Sequence, residues 1–399
     1  MTQMLSVHPW VYLDNNATTR VDARVLDSML PFFREHFANP SSEHSMGGSV
    51  AEAVHTARRQ VQSLIGAASS KEIVFTSGGS ESSSTAIFSA FETHKDRDEV
   101  IISSVEHPSI LAACDHLQRT GRARVHRIPV DRDGRLDEDA YRRALSAKTA
   151  MVSMQWANNE TGTIFPVERL AALANAEGAL FHCDAVQAVG KVNVQVQSTQ
   201  IDLLSISAHK IHGPKGVGAL YIRNGVRFVP LINGGRQERG RRAGTENTPA
   251  IVGFGVAAEL AAQAVSCETP RITALRDRLE FEILRSIPGT MVVGNRSERL
   301  PNTLNIAFED VEADAIVSLL NRQSIACSQG AACSSGTMEP SHVLRAMKIP
   351  FAFLRGAVRF SFSRENSDHD VRRVLDVLPN AVKDLRLNMV PMEASCDYV

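Results

Sequence analysis

The sequence lacks several features that would assign it to a specialised class of protein. Among 399 residues there are only six cysteines, and they are too scattered for a disulfide framework. Lys and Arg total 43 against 44 Asp and Glu, so no overall charge attracts nucleic acid or an anionic membrane. The first residues have neither a basic nor an apolar leader region, and no repeat or low-complexity tract occurs. We therefore expect a cytoplasmic globular protein with no nucleic-acid partner and no membrane partner.

Long uninterrupted apolar runs are also absent. The most apolar stretch, TPAIVGFGVAAELAAQAVS, is interrupted by Glu259 and Gln263. This pattern predicts a buried helix and not a membrane span.

The first two thirds of the chain alternate apolar runs with amphipathic stretches. Helical spacing occurs over Ser49 to Ile65 and over Val167 to Ala176. The alternation predicts an α/β domain at about residues 20–260, with a mainly parallel seven-stranded sheet covered on both faces. The predicted strands are EIVFTS, EVIISS, RVHRIPV, TAMVSMQWA, ALFHCD, DLLSIS and GALYI.

The pattern changes after residue 260. A long amphipathic helix is predicted over Arg271 to Ile287, followed by short strands and by helices at Asp314–Arg322 and Asp368–Leu385. We expect a smaller α+β domain made of residues 1–19 and 261–390, and a loose tail at 391–399.

The segment SISAHKIHGPKG suggests a reactive amine. An apolar strand ends in Ser207, His209 and Lys210, and Gly and Pro turn the backbone at once. A lysine at a strand end in an apolar setting has a depressed pKa and can act as a nucleophile. A solvated loop lysine is the alternative.

The segment FHCDAVQAVGK places Asp184 at the end of another strand, with Gln187 three residues on. Ligands of open α/β sheets bind beyond the carboxyl ends of strands. An acid and a lysine at two such ends suit pyridoxal phosphate, which needs a Schiff-base lysine and a carboxylate for its ring nitrogen. A helix N-cap is the other reading of Asp184.

Two further segments fit the same cofactor. Gly79 and Ser80 lie in a glycine turn between a strand and a helix, where backbone amides can hold a phosphate. His107 directly follows the strand EVIISS and could stack on an aromatic ring or transfer protons. A structural histidine before proline is the alternative.

The segment IACSQGAACSSG contains a second reactive candidate. Cys333 lies among small residues, a composition typical of an accessible loop, where a thiol can attack. Cys327 lies six positions earlier and is predicted to be a buried thiol. The two thiols could form a disulfide or bind metal, but two thiols alone make no metal site.

Two groups of arginines leave alternatives open. The loop GGRQERGRRAGTEN concentrates Arg236, Arg239, Arg241 and Arg242, as a solvated or nucleic-acid-binding loop would, while Thr245 could serve a phosphate. Arg359 lies in the apolar strand AVRFSFS, where either a substrate carboxylate or a structural ion pair would satisfy it.

Taken together, these segments resemble the cysteine desulfurases of the NifS/IscS class. YLDNNATT, NPSSEH, TSGGSES, EHPS, NNETG, DAVQAVGK, SAHKIHGPKG, ERGRRAGTEN, GAACSSG and EPSHVLRA occur in that family's order, from Tyr12 to about Leu385. ERGRRAGTEN and EPSHVLRAMKIP are closer to the nitrogen-fixation branch.

The resemblance implies a fold-type I pyridoxal-phosphate enzyme that acts as a homodimer. It implies that Lys210 binds the cofactor, that Asp184 pairs with the ring nitrogen and that His107 stacks on the ring. Gln187 and Asn159 would contact the ring-oxygen side. The phosphate would be held by Gly79, Ser80, Ser207 and His209, with Thr245 supplied by the other subunit.

The resemblance also implies the reaction. Arg359 and Asn159 would bind the carboxylate of L-cysteine, and Cys333 would take its sulfur as a persulfide, leaving L-alanine. The sulfur would pass to an iron–sulfur scaffold protein, with nitrogenase metalloclusters as the destination. A 2Fe-2S cluster with Cys333 as ligand is conceivable. The spacing alone suggests the hypothesis that a second thiol at Cys327 traps the persulfide or forms a reversible disulfide.

Three other functions remain open at this point. A selenocysteine lyase shares the cofactor residues, and an aminotransferase of the same fold would not need Cys333. A sulfur carrier or iron–sulfur scaffold would need a fixed group of thiolates and has no use for Lys210, Asp184 and His107.

Overall fold

The computed structural model describes residues 10–329 and 340–388. Its strands are Val11–Tyr12 (β1), Ile73–Thr76 (β2), Glu99–Ser103 (β3), Arg124–Ile128 (β4), Thr149–Gln155 (β5), Leu180–Asp184 (β6), Leu203–Ser207 (β7), Gly218–Ile222 (β8), Thr290–Val292 (β9), Thr303–Phe308 (β10), Ile325–Ala326 (β11) and Ala357–Ser361 (β12). Its α-helices are Ala23–Met29 (α1), Pro31–Arg34 (α2), Ser45–Leu64 (α3), Gly79–Thr93 (α4), Pro108–Arg119 (α5), Glu138–Ala144 (α6), Val167–Ala176 (α7), Thr248–Ser286 (α8), Ala313–Arg322 (α9), His342–Ala346 (α10), Phe351–Leu354 (α11) and Asp368–Asn388 (α12).

A seven-stranded sheet dominates the described part of the chain. Its strand order is β2-β8-β7-β6-β5-β3-β4, and β8 runs antiparallel to both of its neighbours while the other pairs are parallel. Each of the seven predicted strands is present, so the predicted sheet is confirmed. The parallel pairing brings the carboxyl ends of β5, β6 and β7 to one edge, with Gln155 beside Asp184 in register.

Apolar side chains cover both faces of this sheet. One core joins α3, α7 and the first part of α8 to one face, and a second joins α4 and α5 to the other. The central strands are buried along their whole length, as parallel strands with helices on both sides are. Cys183 and Cys114 are among these core side chains, as the sequence suggested.

A smaller α+β unit is built on the antiparallel sheet β12-β10-β9. Helices α9 and α12 and the end of α8 pack on it around a separate core that includes Leu13 from the N-terminal strand region. The short strand β1 pairs with β11, so the start of the chain joins the late elements. The α/β class with a second α+β unit is therefore as predicted.

Helix α8 differs from the prediction. The sequence suggested an apolar helix and a separate one beginning at Arg271, whereas one helix of 39 residues continues through Pro270. Proline removes one backbone hydrogen bond, but the helix packs against the large core at one end and the small core at the other. The predicted division near residue 260 falls inside this helix and stays a prediction.

Among the described residues, α8 is long and apolar enough to cross a membrane by length and composition alone. Its apolar side packs on α1 and α3, as the predicted buried helix requires. Core helices of globular proteins commonly meet the same criterion.

Candidate active site

A cavity of about 490 Å³ opens at the carboxyl ends of β5, β6 and β7. The first turn of α4, the start of α5 and a segment before α1 complete its wall, so elements distant in sequence meet there. The cavity contains most of the residues singled out from the sequence: Gly79, Ser80, His107, Asn159, Asp184, Gln187, Ser207, His209, Lys210 and Arg359.

Lys210 lies in a 3-10 turn, Ala208–Lys210, directly after β7. Its Nζ donates hydrogen bonds of 2.7 Å to the backbone carbonyl oxygens of Asn16 and Ala17. The amine is partly buried and faces the cavity, so the alternative of a solvated loop lysine is wrong. A primary amine held at a defined point can reach a carbonyl group bound in the cavity.

Asp184 is the last residue of β6 and is almost fully buried. Its Oδ1 accepts a hydrogen bond of 3.0 Å from the amide of Val186, and a turn follows instead of a helix, so the N-cap reading is wrong. Burial raises the pKa of this carboxyl above its usual value, while the nearby His107 and Lys210 oppose that shift. A cationic ligand nitrogen would be the natural partner for such a carboxylate.

His107 caps the N-terminus of α5. Its Nδ1 accepts a hydrogen bond of 3.2 Å from the amide of Ser109, so the proton of the neutral ring sits on Nε2. Burial lowers the pKa of the ring, and the positive charge of Lys210 adds to this, while Asp184 opposes it. The structural role is therefore present, and the cap also fixes the ring against the cavity, where a functional role stays a prediction.

The N-terminus of α4 is open to an anion. Gly78 is its N-cap and supplies no side-chain hydrogen bond, so the first amides of the helix lack a capping partner from that residue. A Cβ atom on Gly79 would lie 2.8 Å from Cγ2 of Val186. The first turn of α4 can therefore pack this closely against Val186 only because residue 79 has no side chain. Ser207 and His209 line the same end of the cavity, and together these donors could hold a phosphate; we call this end of the cavity the phosphate cradle.

Arg359 lies on β12 and is 1 % exposed. Its guanidinium donates to Oδ1 of Asp14 at 2.7 Å and to the carbonyl oxygen of Asn159 at 2.9 Å. The structural ion pair considered from the sequence is present. The same guanidinium lines the cavity, and its buried Nε has no hydrogen-bond partner among the described residues.

The structure does not place two of the predicted site residues in the cavity lining, for different reasons. Thr245 is exposed and lies outside its lining. Cys333, the predicted nucleophile and iron–sulfur ligand, lies outside the described residues. Within residues 10–329 and 340–388, no group of three or more His, Cys, Asp or Glu is placed to hold a metal ion.

Several cavity residues were not identified from the sequence. Asn16 and Ala17 receive the amine of Lys210, and Glu160 and His342 approach from the other side. Glu160 is fully buried, accepts a hydrogen bond of 2.6 Å from Ser341 Oγ, and has its pKa raised by burial. The motifs YLDNNATT, NNETG and EPSHVLRA contain these residues, but only the fold shows that they converge.

Part of the arginine-rich loop is held by contacts within the protein, so the loop as a whole is neither fully solvated nor fully available to nucleic acid. Glu238 is buried and pairs with Arg58 at 2.6 Å, and Arg242 pairs with Glu81 in the first turn of α4 at 2.9 Å. Arg241 and Arg239 donate to backbone carbonyls at the start of β2. The loop is thus tied to β2 and to the first turn of α4, and the latter forms part of the phosphate cradle.

Cys327 is 9 % exposed, and burial raises the pKa of its thiol to about 12. The buried reading from the sequence is therefore confirmed. A thiol that is buried and protonated is a poor nucleophile, which argues against the hypothesis that it traps a persulfide; its reactivity toward a thiol reagent is the remaining test.

Comparison with known proteins places this site in a family. The model of the class-V aminotransferases matches residues 11–374. The chain is 60% identical over 376 residues to a cysteine desulfurase of Gluconacetobacter diazotrophicus, covering 94% of each chain. It is 54% identical to the cysteine desulfurase NifS of Azotobacter vinelandii, covering 94% of this chain and 93% of that one. A solved NifS-like protein superposes with a TM-score of 0.88 at 36% identity, over 94% of this chain and 100% of the other.

The chain therefore belongs to the class-V aminotransferase family, whose cofactor is pyridoxal phosphate. The residues of the cavity fit that cofactor. The amine of Lys210 suits its aldehyde, and the buried carboxylate of Asp184 suits its ring nitrogen. The uncapped N-terminus of α4 suits its phosphate.

Proposed function

We propose that this chain is a pyridoxal-phosphate-dependent cysteine desulfurase, a transferase that converts L-cysteine to L-alanine and passes the sulfur to an acceptor through Cys333. The observation that carries the proposal is the convergence of Lys210, Asp184 and His107 on one cavity beside an open helix N-terminus. Relatives at more than half identity are cysteine desulfurases over nearly their full length.

The lining of the cavity supports the cofactor contacts that the family resemblance implies, except that of Thr245, which lies outside the cavity. Lys210 would bind the aldehyde carbon, Asp184 would pair with the ring nitrogen and the neutral ring of His107 would stack on the cofactor ring. Gln187 and Asn159 would contact its oxygen side. The phosphate would be held by Gly79, Ser80, Ser207 and His209 of this chain and by Thr245 of a second copy.

When bound, the cofactor supplies an electron sink that weakens bonds at the substrate's α-carbon. Asp184 would keep the ring nitrogen protonated, because a carboxylate with little access to water is stabilised by a positive charge beside it. Lys210 Nζ moves protons at the substrate. When this amine is not bonded to the cofactor, its hydrogen bonds to the carbonyl oxygens of Asn16 and Ala17 define its position. His107 stays neutral and offers an Nε2 proton.

The substrate carboxylate would be bound by Arg359 and Asn159. Arg359 is already fixed by Asp14, and this pairing orients its fork toward the cavity without using all five donors. The thiolate of Cys333 then attacks the substrate sulfur, and an S–S bond forms. The C–S bond breaks, and its electron pair stays on the β-carbon of the substrate, which gains a proton. Alanine leaves and Cys333 keeps a persulfide, so no external oxidant is needed.

The destination of the sulfur is an iron–sulfur scaffold protein, and the similarity to the NifS relative supports a role in building nitrogenase metalloclusters. We expect this activity in the cytoplasm.

The proposed enzyme is a homodimer. Exposed apolar side chains occur on two segments of the large unit, as an interface between copies would require. They are Leu26, Leu30, Phe33, Phe37 and Met46 in the first and Val229, Leu231 and Ile232 in the second. Thr245 follows the second segment and is exposed, as a residue that serves a neighbouring subunit would be.

Alanine formation from L-cysteine tests the proposal. Purified protein loaded with pyridoxal phosphate, with a reductant present, should form alanine, and Cys333→Ala should not. Cys267→Ala is the matched control, because Cys267 is an exposed thiol on α8, and it should keep the activity. Alanine from Cys333→Ala at the wild-type rate would favour a selenocysteine-lyase-like reaction, and no alanine from any cofactor-loaded variant would favour an aminotransferase.

A further inference from the structure

A second lysine lies beside Lys210, and the reaction described above does not use it. Lys191 follows β6 by seven residues, and it shares with Lys210 the wall of a small cavity of about 60 Å³ behind the active site. No carboxylate of the described residues forms an ion pair with it. Burial, with the positive charges of Lys210 and Arg359, lowers its pKa well below the usual value. A buried amine needs hydrogen-bond partners, and these partners show which other groups it can influence.

Those hydrogen bonds lead to a cofactor residue. Nζ of Lys191 donates to Oε1 of Gln187 at 2.6 Å and to Oδ1 of Asn16 at 3.2 Å. On the other edge of its amide, Gln187 donates from Nε2 to the carbonyl oxygen of Asn16 at 2.9 Å. That same carbonyl accepts the amine of Lys210 at 2.7 Å. A chain of contacts thus joins Lys191 to Lys210 through one amide and one carbonyl.

The chemistry of these groups fixes a direction. A side-chain amide has nearly the same shape when its oxygen and nitrogen exchange places, so only its partners decide its orientation. Nζ of Lys191 donates to Oε1 of Gln187 and also to Oδ1 of Asn16, so Lys191 holds the oxygen of Gln187 on its own side. The NH₂ group must then face Asn16 and the active-site cavity, which Gln187 lines.

We propose that Lys191 is a positioning residue, which holds the NH₂ group of Gln187 toward the cofactor's ring oxygen and thereby lowers the proton affinity of the bond between Lys210 and the cofactor. The inference rests on the proposed function, since it requires pyridoxal phosphate in the cavity. A donor on the ring oxygen disfavours a proton on that bond. The titratable and charged groups that face this region are His107, Glu160, Asp184, His209, His342 and Arg359 around the active site, and His212, Glu268 and Arg364 around the small cavity.

The pH midpoint of the absorption change of the bound cofactor tests the inference directly. Lys191→Met should raise this midpoint by about one pH unit, because the NH₂ group of Gln187 is then no longer held toward the ring oxygen. Gln187→Met should raise it in the same direction, and it keeps the test valid if Lys191→Met does not fold. Lys191→Arg keeps a side chain that only donates hydrogen bonds and should restore a midpoint near that of the wild type.

Two comparisons make the outcome decisive. Because Lys191 acts through Gln187, the shifts of Lys191→Met and Gln187→Met should not add in the double variant. Lys215→Met removes the same charge from an exposed lysine near His209 and should leave the midpoint unchanged. The rate at which cofactor leaves the protein is a second readout, and we expect it to rise about tenfold in Lys191→Met.

An unchanged midpoint and cofactor release in folded Lys191→Met, or fully additive shifts, would overturn the inference and leave the proposed function intact. If the wild-type protein itself bound no pyridoxal phosphate, the proposed function would fail instead.

Discussion

The guanidinium of Arg58 and the carboxylate of Glu238 meet in the protein interior with two hydrogen bonds of 2.6 and 2.7 Å. Their side chains are 4% and 2% exposed. Glu238 also accepts the amide of Phe75 in β2 at 3.1 Å, and the ring of Phe75 lies under the guanidinium. A loop of glycines and arginines is thereby fixed to the strand that leads into the phosphate cradle.

Glu238→Gln should therefore destabilise the protein strongly. Removing one charge leaves Arg58 buried without its partner, which costs about 3–5 kcal/mol in the free energy of unfolding. Urea unfolding measures the loss. Glu52→Gln is the matched control, because Glu52 pairs with Arg59 on the exposed side of the same helix, and it should cost less than about 1 kcal/mol. Equal losses in the two variants would contradict this role of the buried pair.

Glu106 should make the stability of the protein depend on pH. Burial raises the pKa of this carboxyl to about 8, although Ser103 Oγ and the amide of Gln155 donate to it. Between the unfolded pKa of about 4.5 and the folded value the native state holds the extra proton, so stability is full at low pH and falls as pH rises. The expected loss is at most about 1.4 kcal/mol per pH unit.

Glu106→Gln imitates the neutral acid and removes this dependence. Unfolding by urea at several pH values should show the variant gaining on the wild type as pH rises through this window. Glu92→Gln, which changes an exposed carboxylate paired with Arg122, should run parallel to the wild type. A constant difference between wild type and Glu106→Gln at all pH values is the result that excludes a protonated Glu106.

The sheet was predictable because most of its strands are continuous apolar runs of about the right length, bounded by turns, although β4 carries Arg124, His126 and Arg127. Lys210 and Asp184 could be placed at strand ends for the same reason, and parallel pairing then brings such ends together. The continuous helix α8 could not be predicted, since Pro270 is a local helix breaker and only packing at both of its ends overrides that signal.

The rest of the site depends on contacts that sequence spacing does not encode. Asn16 lies 194 residues from Lys210 in sequence and yet binds its amine. Lys191 belongs to the motif DAVQAVGK, but nothing in the sequence indicates that its amine contacts Gln187. The loop arginines were ambiguous because burial, and not composition, decides whether an arginine is solvated or paired.

Cysteine reactivity should follow burial among the described residues. Burial raises the pKa of the thiols of Cys327 and Cys114 to about 12 and that of Cys183 well above its usual value, whereas Cys267 is exposed. A thiol reagent at about pH 8 should therefore label Cys267 in the native protein and leave the three others unmodified until the chain is unfolded. Mass spectrometry of the peptides gives the result, and rapid native labelling of Cys327 would revive the idea that it traps a persulfide.

The fit between Gly79 and Val186 should control cofactor affinity. A methyl group at Gly79 would lie 2.8 Å from Cγ2 of Val186, so Gly79→Ala must push apart the first turn of α4 and the turn that follows Asp184. The phosphate donors and the ring carboxylate would no longer match one ligand, and we expect pyridoxal phosphate to bind at least about tenfold more weakly. Equilibrium titration of the cofactor-free protein by absorbance measures this.

A second substitution separates this clash from a general loss of structure. Val186→Ala removes the atom that the new methyl group meets, so the double variant should bind more tightly than Gly79→Ala alone, a non-additive result expected of residues in contact. Gly48→Ala is the control, because a Cβ at Gly48 in α3 meets nothing within 4 Å. If Val186→Ala failed to restore affinity, the glycine would be needed for the backbone path of the cradle itself and not for its contact with the neighbouring turn.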